Sequence, residues 1–139
     1  GFRCRHNLGY WEGRDYLGVG PAATSTIGGE RWTNPEGEGW LEQVREGRRC
    51  PEREPLDRAT RALELMMLRL RTVDGLPLDA YESLAGRSFL GDHGAFAHRL
   101  CAEGLARMEN GVFRLTDEGM LVSNSILGEL FEEEPKSAE

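Results

Sequence analysis

The sequence predicts an α+β chain built from two unlike pieces. Residues 1–54 form an irregular segment rich in glycine and aromatic residues. Residues 55–131 form a domain of three helices, a β-hairpin and a closing helix. Three observations carry this reading. Glycine is in excess, 18 of 139 residues against an average near ~7%. It is also unevenly placed, since 1–54 holds ten glycines, all three tryptophans and six of the eleven aromatic residues. Helical spacing of apolar residues, by contrast, dominates only after residue 55, where Asn110-Gly111 also marks a hairpin.

The elements follow in chain order. Pro55-Leu56-Asp57 is a helix entry with Asp57 as the N-cap. Ala59, Ala62, Leu63, Met66, Met67 and Leu70 then recur at three- and four-residue spacing, which predicts an amphipathic helix over 58–71. A second helix over 78–85 carries Leu78, Tyr81 and Leu84 and stops at Gly86. A third, over 92–103, places Phe96 and Leu100 at i,i+4, with Gly104 at the left-handed C-cap position. Asn110-Gly111 predicts a two-residue type I′ turn, and the turn fixes the register. Glu109 then faces Val112, Met108 faces Phe113, Arg107 faces Arg114 and Ala106 faces Leu115, with the apolar pairs sharing one face. Thr116 caps a single final helix whose apolar side is Met120, Leu127, Leu130 and Phe131. The tail over 132–139 is acidic and is expected to be disordered. This order is that of a winged-helix-like domain.

Charge and composition exclude several functions. The formal net charge is −7, a poor balance for holding a phosphate backbone. Over 92–104 only Arg99 opposes Asp92 and Glu103, so the third helix is a weak candidate for reading DNA, and nucleic acid is not an expected partner. With a mean hydropathy of −0.52 and no long apolar run, a membrane-spanning helix is not expected. Three cysteines point to a reducing, cytoplasmic setting rather than a disulfide scaffold. Cys4-x-His6 and His98-x-x-Cys101 lack the spacing of common zinc modules, so no metal site is expected in this chain.

The first piece has little periodicity. Tyr10-Trp11 and 16–20 read as short strands or loops, and only Trp40 to Arg48 suggests a short helix. Gly18-Val-Gly20-Pro-Ala-Ala23 fits G-x-G-x-x-A in form, but no helix follows it to hold a pyrophosphate, so a dinucleotide fold is not implied. So much glycine with so little regular structure is expected to belong to a larger body.

His6-Asn7-Leu8-Gly9-Tyr10-Trp11, followed by Tyr16-Leu17-Gly18-Val19-Gly20-Pro21-Ala22-Ala23-Thr24-Ser25, resembles a paired signature of radical-SAM proteins. These are relatives of oxygen-independent coproporphyrinogen III oxidase, and the H-N-x-x-Y-W form is similar to the HemW haem-chaperone branch. Leu68-x-Leu70-Arg71-Thr72, Glu103-Gly104-Leu105, Leu115-Thr116-x-x-Gly119 and Asn124-x-Ile126 resemble that family's C-terminal domain. The resemblance implies that 1–54 is the closing part of a radical-SAM partial barrel and that 55–131 is the appended domain. It implies His6 as a haem contact supported by Asn7, Tyr10 and Trp11. It also implies Gly18, Gly20, Ala23 and Thr24 as neighbours of S-adenosylmethionine, although Thr24 replaces an apolar residue of the oxidases.

Cys4, Cys50 and Cys101 lie about fifty residues apart. They cannot form the cysteine triplet that holds the family's 4Fe–4S cluster. The expected function is therefore that of the C-terminal part of a HemW-like protein that binds and delivers haem. By itself this stretch is expected to be inactive in radical chemistry and to hold no cofactor. The whole protein would carry the cluster, S-adenosylmethionine and haem. Expected partners are haem or porphyrin, the rest of the barrel and haem-accepting proteins. The alternatives are a coproporphyrinogen oxidase and a winged-helix interaction module for protein or nucleic acid.

Overall fold

A computed structural model of the chain describes residues 9–47 and 52–132. The chain divides into two compact units at the Arg61–Ala62 boundary.

The first unit opens with a short helical turn over 9–11. Gly13, at φ +67, closes it by donating its N–H to the Tyr10 carbonyl. Tyr10 and Trp11 are thus helical, where the sequence predicts a short strand or loop. A hairpin follows, with β1 (Thr24–Ile27) antiparallel to β2 (Glu30–Thr33). Gly28 and Gly29 both have positive φ, which a two-residue turn of this hand requires. The hairpin is absent from the sequence expectation because Thr-Ser-Thr-Ile shows no apolar alternation. Its buried face is instead the pair Ser25 and Trp32, directly opposite in register. The two-residue strand β3 (Glu54–Pro55) pairs with β2 to give the order β1-β2-β3. Arg53 lies over the Trp32 ring at 4.7 Å and pairs with Glu30 at 2.7 Å. Helix α1 (Gly37–Arg45) buries none of its side chains among the described residues. It begins three residues before the expected Trp40.

Helix α2 (Arg58–Arg69) runs across the boundary. Asp57 caps it as expected, its carboxylate accepting from the Thr60 N–H at 2.8 Å and the Thr60 hydroxyl at 3.1 Å. Those bonds hold the Asp57 carboxyl below its usual range. In the second unit the chain continues through β4 (Leu76–Pro77), α3 (Leu78–Ala85), α4 (Phe89–Ala102), β5 (Ala106–Glu109), β6 (Val112–Leu115), α5 (Asp117–Leu121) and α6 (Ser123–Glu132). Helix α3 ends where predicted, with Gly86 at φ +70. The β5–β6 register is the one the Asn-Gly turn demands, from Ala106 opposite Leu115 to Glu109 opposite Val112.

Three features depart from expectation. Strand β4 joins the hairpin to make a sheet of order β4-β6-β5. Its pairing rests on Gly75, where a Cβ would lie 2.5 Å from the Arg114 Cβ and 2.8 Å from the Phe113 carbonyl. Helix α4 starts at Phe89, earlier than residue 92, and is kinked at His93. There the Tyr81 hydroxyl donates to Asp92 at 2.9 Å and lies 3.2 Å from His93 Nε2. A phenol has one proton, so with that proton on the carboxylate side His93 Nε2 is the donor to Tyr81. The final helix is two helices, because Val122 leaves helical geometry between α5 and α6.

The core of the second unit draws on α2, α3, α4, α6 and the sheet. Met66, Leu70, Leu76, Phe89, Phe96, Leu100, Phe113 and Leu130 are fully buried. Phe89 sits 5.3 Å from Phe113 and edge-on to Tyr81 at 5.4 Å. Burying a side chain of this size contributes about 1.5–3 kcal/mol, an upper estimate against an extended chain.

Candidate functional site: the aromatic turn and the Gly18–Thr24 loop

His6 and Asn7 lie outside the described residues, as do Cys4 and Cys50. The remaining sequence-predicted residues fall in two adjoining stretches of the first unit. Tyr10 and Trp11 sit on the helical turn and remain 45% and 39% exposed. The Tyr10 ring stacks on Tyr16 at 4.6 Å with an interplanar angle of 32°. Tyr16 in turn exchanges backbone hydrogen bonds of 2.9 and 3.0 Å with Thr26, so the aromatic pair is anchored to the outer edge of β1. Tyr10 and Trp11 thus present exposed aromatic surface, of the kind that packs against a flat ring, and Leu17 and Ile27 of the same unit are exposed as well.

The loop joins this edge to the hairpin. Gly18 is needed for packing within the loop: a Cβ there would meet the Thr24 carbonyl oxygen at 2.3 Å. Gly20, at φ +112, instead faces open space. Ala22 holds a left-handed backbone at φ +57, uncommon for a residue with a side chain. Ala23 and Thr24 are half-buried, and the Thr24 hydroxyl is 3.0 Å from that of Thr33.

Three residues that sequence reasoning missed shape this region. Ser25, completely buried, accepts the Gly18 N–H at 3.0 Å. The Asn34 side-chain amide donates to the carbonyls of Gly18 at 3.4 Å and Gly20 at 2.8 Å. Asp15 accepts the Gly28 N–H at 2.9 Å and so ties the aromatic edge to the hairpin turn. These bonds span seven to sixteen residues, and only Asn34-Pro35, a turn-forming dipeptide, gives any local signal.

For the groups the resemblance implies, the residues fit unevenly. The loop offers a ligand open space at Gly20, and the N–H groups of Val19 and Gly20 have no acceptor among the described residues. An adenosyl group with its oxygens and ring edge suits such a surface. Among the described residues no group of three His, Cys, Asp or Glu is placed to hold a metal. Cys101, the one cysteine described, is an isolated thiol on α4 that burial pushes up.

The second unit offers less. A cleft of about 360 Å³ beside the β5–β6 hairpin is lined by Arg107 and Arg114 but also by Asp117 and Glu118, so its charge is balanced. Arg99, the basic residue of α4's last turn, is paired with Glu129 and lies over the Phe96 ring. Among the described residues no helix is long and apolar enough to cross a membrane.

Residues 56–122 match the family described as the HemN C-terminal domain. The "Heme chaperone HemW" of Mycobacterium tuberculosis is 32% identical over 129 residues, covering 91% of this chain and 31% of its own length. Its namesake in Synechocystis sp. is 33% identical, covering 94% of this chain and 37% of its own length. That of Bacillus subtilis is 29% identical, at 92% and 34%. This chain therefore spans about a third of the length of the curated relatives it matches. Among solved structures, coproporphyrinogen III oxidase (HemN) from Escherichia coli, described as a radical SAM enzyme, superposes with a TM-score of 0.58. That match covers 83% of this chain and 28% of the other at 19% identity, a likeness of fold alone. These similarities show that residues 56–122 are a HemN C-terminal domain and that the chain is similar to the HemW proteins over about nine-tenths of its length.

Proposed function

We propose that this chain is the C-terminal part of a HemW-like protein that handles haem, binding it and passing it to an acceptor protein. Residues 1–54 are the closing part of a radical-SAM barrel, and residues 55–131 are a winged-helix-like domain followed by an acidic tail over 132–139. The match of the HemN C-terminal domain from residue 56 onward supports that boundary. The order helix, strand, two helices and hairpin, with β4 beside β6, supports the winged-helix reading. The setting is the cytoplasm.

One observation carries the functional reading: Tyr10, stacked on Tyr16 at the sheet edge, and its neighbour Trp11 are both exposed and lie three and four residues after Asn7 of the His6-Asn7 dipeptide. An imidazole can ligate haem iron while neighbouring aromatic rings cover the porphyrin face. His6 takes the axial role, Asn7 supports it, and Tyr10 and Trp11 supply the apolar contact. The names of the curated relatives favour haem carriage over porphyrin oxidation. In the whole protein, S-adenosylmethionine lies against Gly18, Gly20, Ala23 and Thr24, and the cluster that cleaves it is held by cysteines beyond this chain.

The test is an absorbance titration of the whole protein with haem. His6→Ala should shift the Soret band and weaken binding by at least about tenfold, roughly 1.4 kcal/mol. Trp11→Ala should weaken it less and leave the band in place. Unchanged affinity and spectrum in His6→Ala would remove His6 as a ligand.

A further inference from the structure

The Gly18–Thr24 loop is tied on one side and open on the other. On the tied side, the Asn34 amide spans the Gly18 and Gly20 carbonyls, and the Asn34 N–H donates to the Ala23 carbonyl at 2.9 Å. The Ala22 N–H donates to the Pro35 carbonyl at 3.1 Å, and the Gly18 N–H reaches the buried Ser25 hydroxyl. On the open side, the N–H groups of Val19 and Gly20 have no acceptor among the described residues, and Val19 is 83% exposed.

A hairpin does not require its entry loop to be fixed by a side-chain amide bonded to two carbonyls. Nor does it require a left-handed alanine. Backbone in a disfavoured region persists where its surroundings over-determine it, and such places cluster at ligand-binding sites. The bonds from Asn34 turn the Gly18 and Gly20 carbonyls toward the hairpin. In a trans peptide the N–H points opposite its carbonyl, so the Asn34 bond to the Gly18 carbonyl turns the Val19 amide away from Asn34; neither the Val19 nor the Gly20 N–H has an acceptor among the described residues.

We infer that Asn34 and Ser25 are positioning residues that hold this loop in the shape that receives S-adenosylmethionine. The inference rests on the reading above that the loop lies against the adenosyl group. Neither residue needs to touch the ligand. Asn34 acts through the orientation of the Gly18–Gly20 backbone, and Ser25 through the Gly18 N–H at the loop's start.

The experiment measures S-adenosylmethionine affinity of the whole protein, with its cluster, by calorimetry. Asn34→Asp keeps the side chain's shape but replaces the amide donor with an oxygen that repels both carbonyls. It should weaken binding about tenfold. Ser25→Ala should weaken it about threefold, and neither should change haem affinity. Hydrogen exchange read on the peptide over 17–23 supplies the second measurement. In the unaltered protein S-adenosylmethionine should protect that peptide, and in Asn34→Asp the protection should fall. Protection in the unaltered protein with full affinity retained in both variants would overturn the positioning role and leave the loop reading standing. No protection of that peptide at saturating ligand would overturn the loop reading itself.

Discussion

The two units are held together by different physics. In the second, sixteen buried apolar residues form one continuous cluster that draws on every helix from α2 to α4, the sheet and α6. In the first, Trp32 is the sole buried hydrophobic residue among those described, and its partner across the hairpin is a buried serine. Glycines with positive φ, an asparagine amide and a serine hydroxyl do there what phenylalanines do in the second unit. A hydrogen bond contributes about 0.5–1.5 kcal/mol net, well below the value of a buried phenylalanine, but it fixes backbone direction as packing cannot. The region that presents exposed aromatic rings, and amides with no acceptor among the described residues, is thus the one fixed by directional bonds. The apolar unit supplies stability.

Four substitutions test that contrast. The largest effect is expected at Phe113, fully buried between β4 and Phe89. Phe113→Ala should cost about 3–5 kcal/mol in denaturant unfolding of the second unit. Gly119→Ala should follow at about 1–3 kcal/mol or more, because its Cβ would lie 2.0 Å from the Leu105 carbonyl oxygen. A loss below about 0.5 kcal/mol would mean that α5 can shift away at little cost. Ser25→Ala leaves the Gly18 N–H without its acceptor and should cost about 1–3 kcal/mol, confined to exchange rates in the first unit. Slowed refolding or lowered stability of the second unit in that variant would break the contrast.

The smallest effect is at Asp57, and it depends on pH. Its folded-state pKa lies below the ordinary 3.8. Its contribution is therefore present above that value and lost as pH falls through the lower, folded one. Asp57→Asn retains a capping oxygen but does not titrate. The melting-temperature gap between the two forms should be widest near neutrality and close as acid protonates Asp57. A gap that widens in acid would contradict the cap's charge dependence.

Legibility of the fold in the sequence tracks the range of the forces involved. The β5–β6 register was readable because Asn110-Gly111 sets it locally and the alternation of Met108 and Ala106 with Phe113 and Leu115 agrees with it. Gly86 and Gly104 marked helix ends for the same local reason, both having positive φ. Strand β4 is only two residues long and exists because Gly75 lets Leu76 reach Phe113, a contact no local pattern announces. The break at Val122 leaves apolar spacing undisturbed, so one helix and two read alike. In the candidate site, Tyr10 and Trp11 were legible through resemblance to a family motif. Ser25 and Asn34 were not, because their bonds to Gly18 and Gly20 join residues well separated in sequence.

On the proposed function, haem binds the polar, loop-rich unit and not the apolar one. Hydrogen exchange of the whole protein, compared with and without haem, tests it most directly. Protection gained over 9–27, with rates over 62–130 unchanged, is the predicted result. Protection gained over 62–130 alone would contradict it.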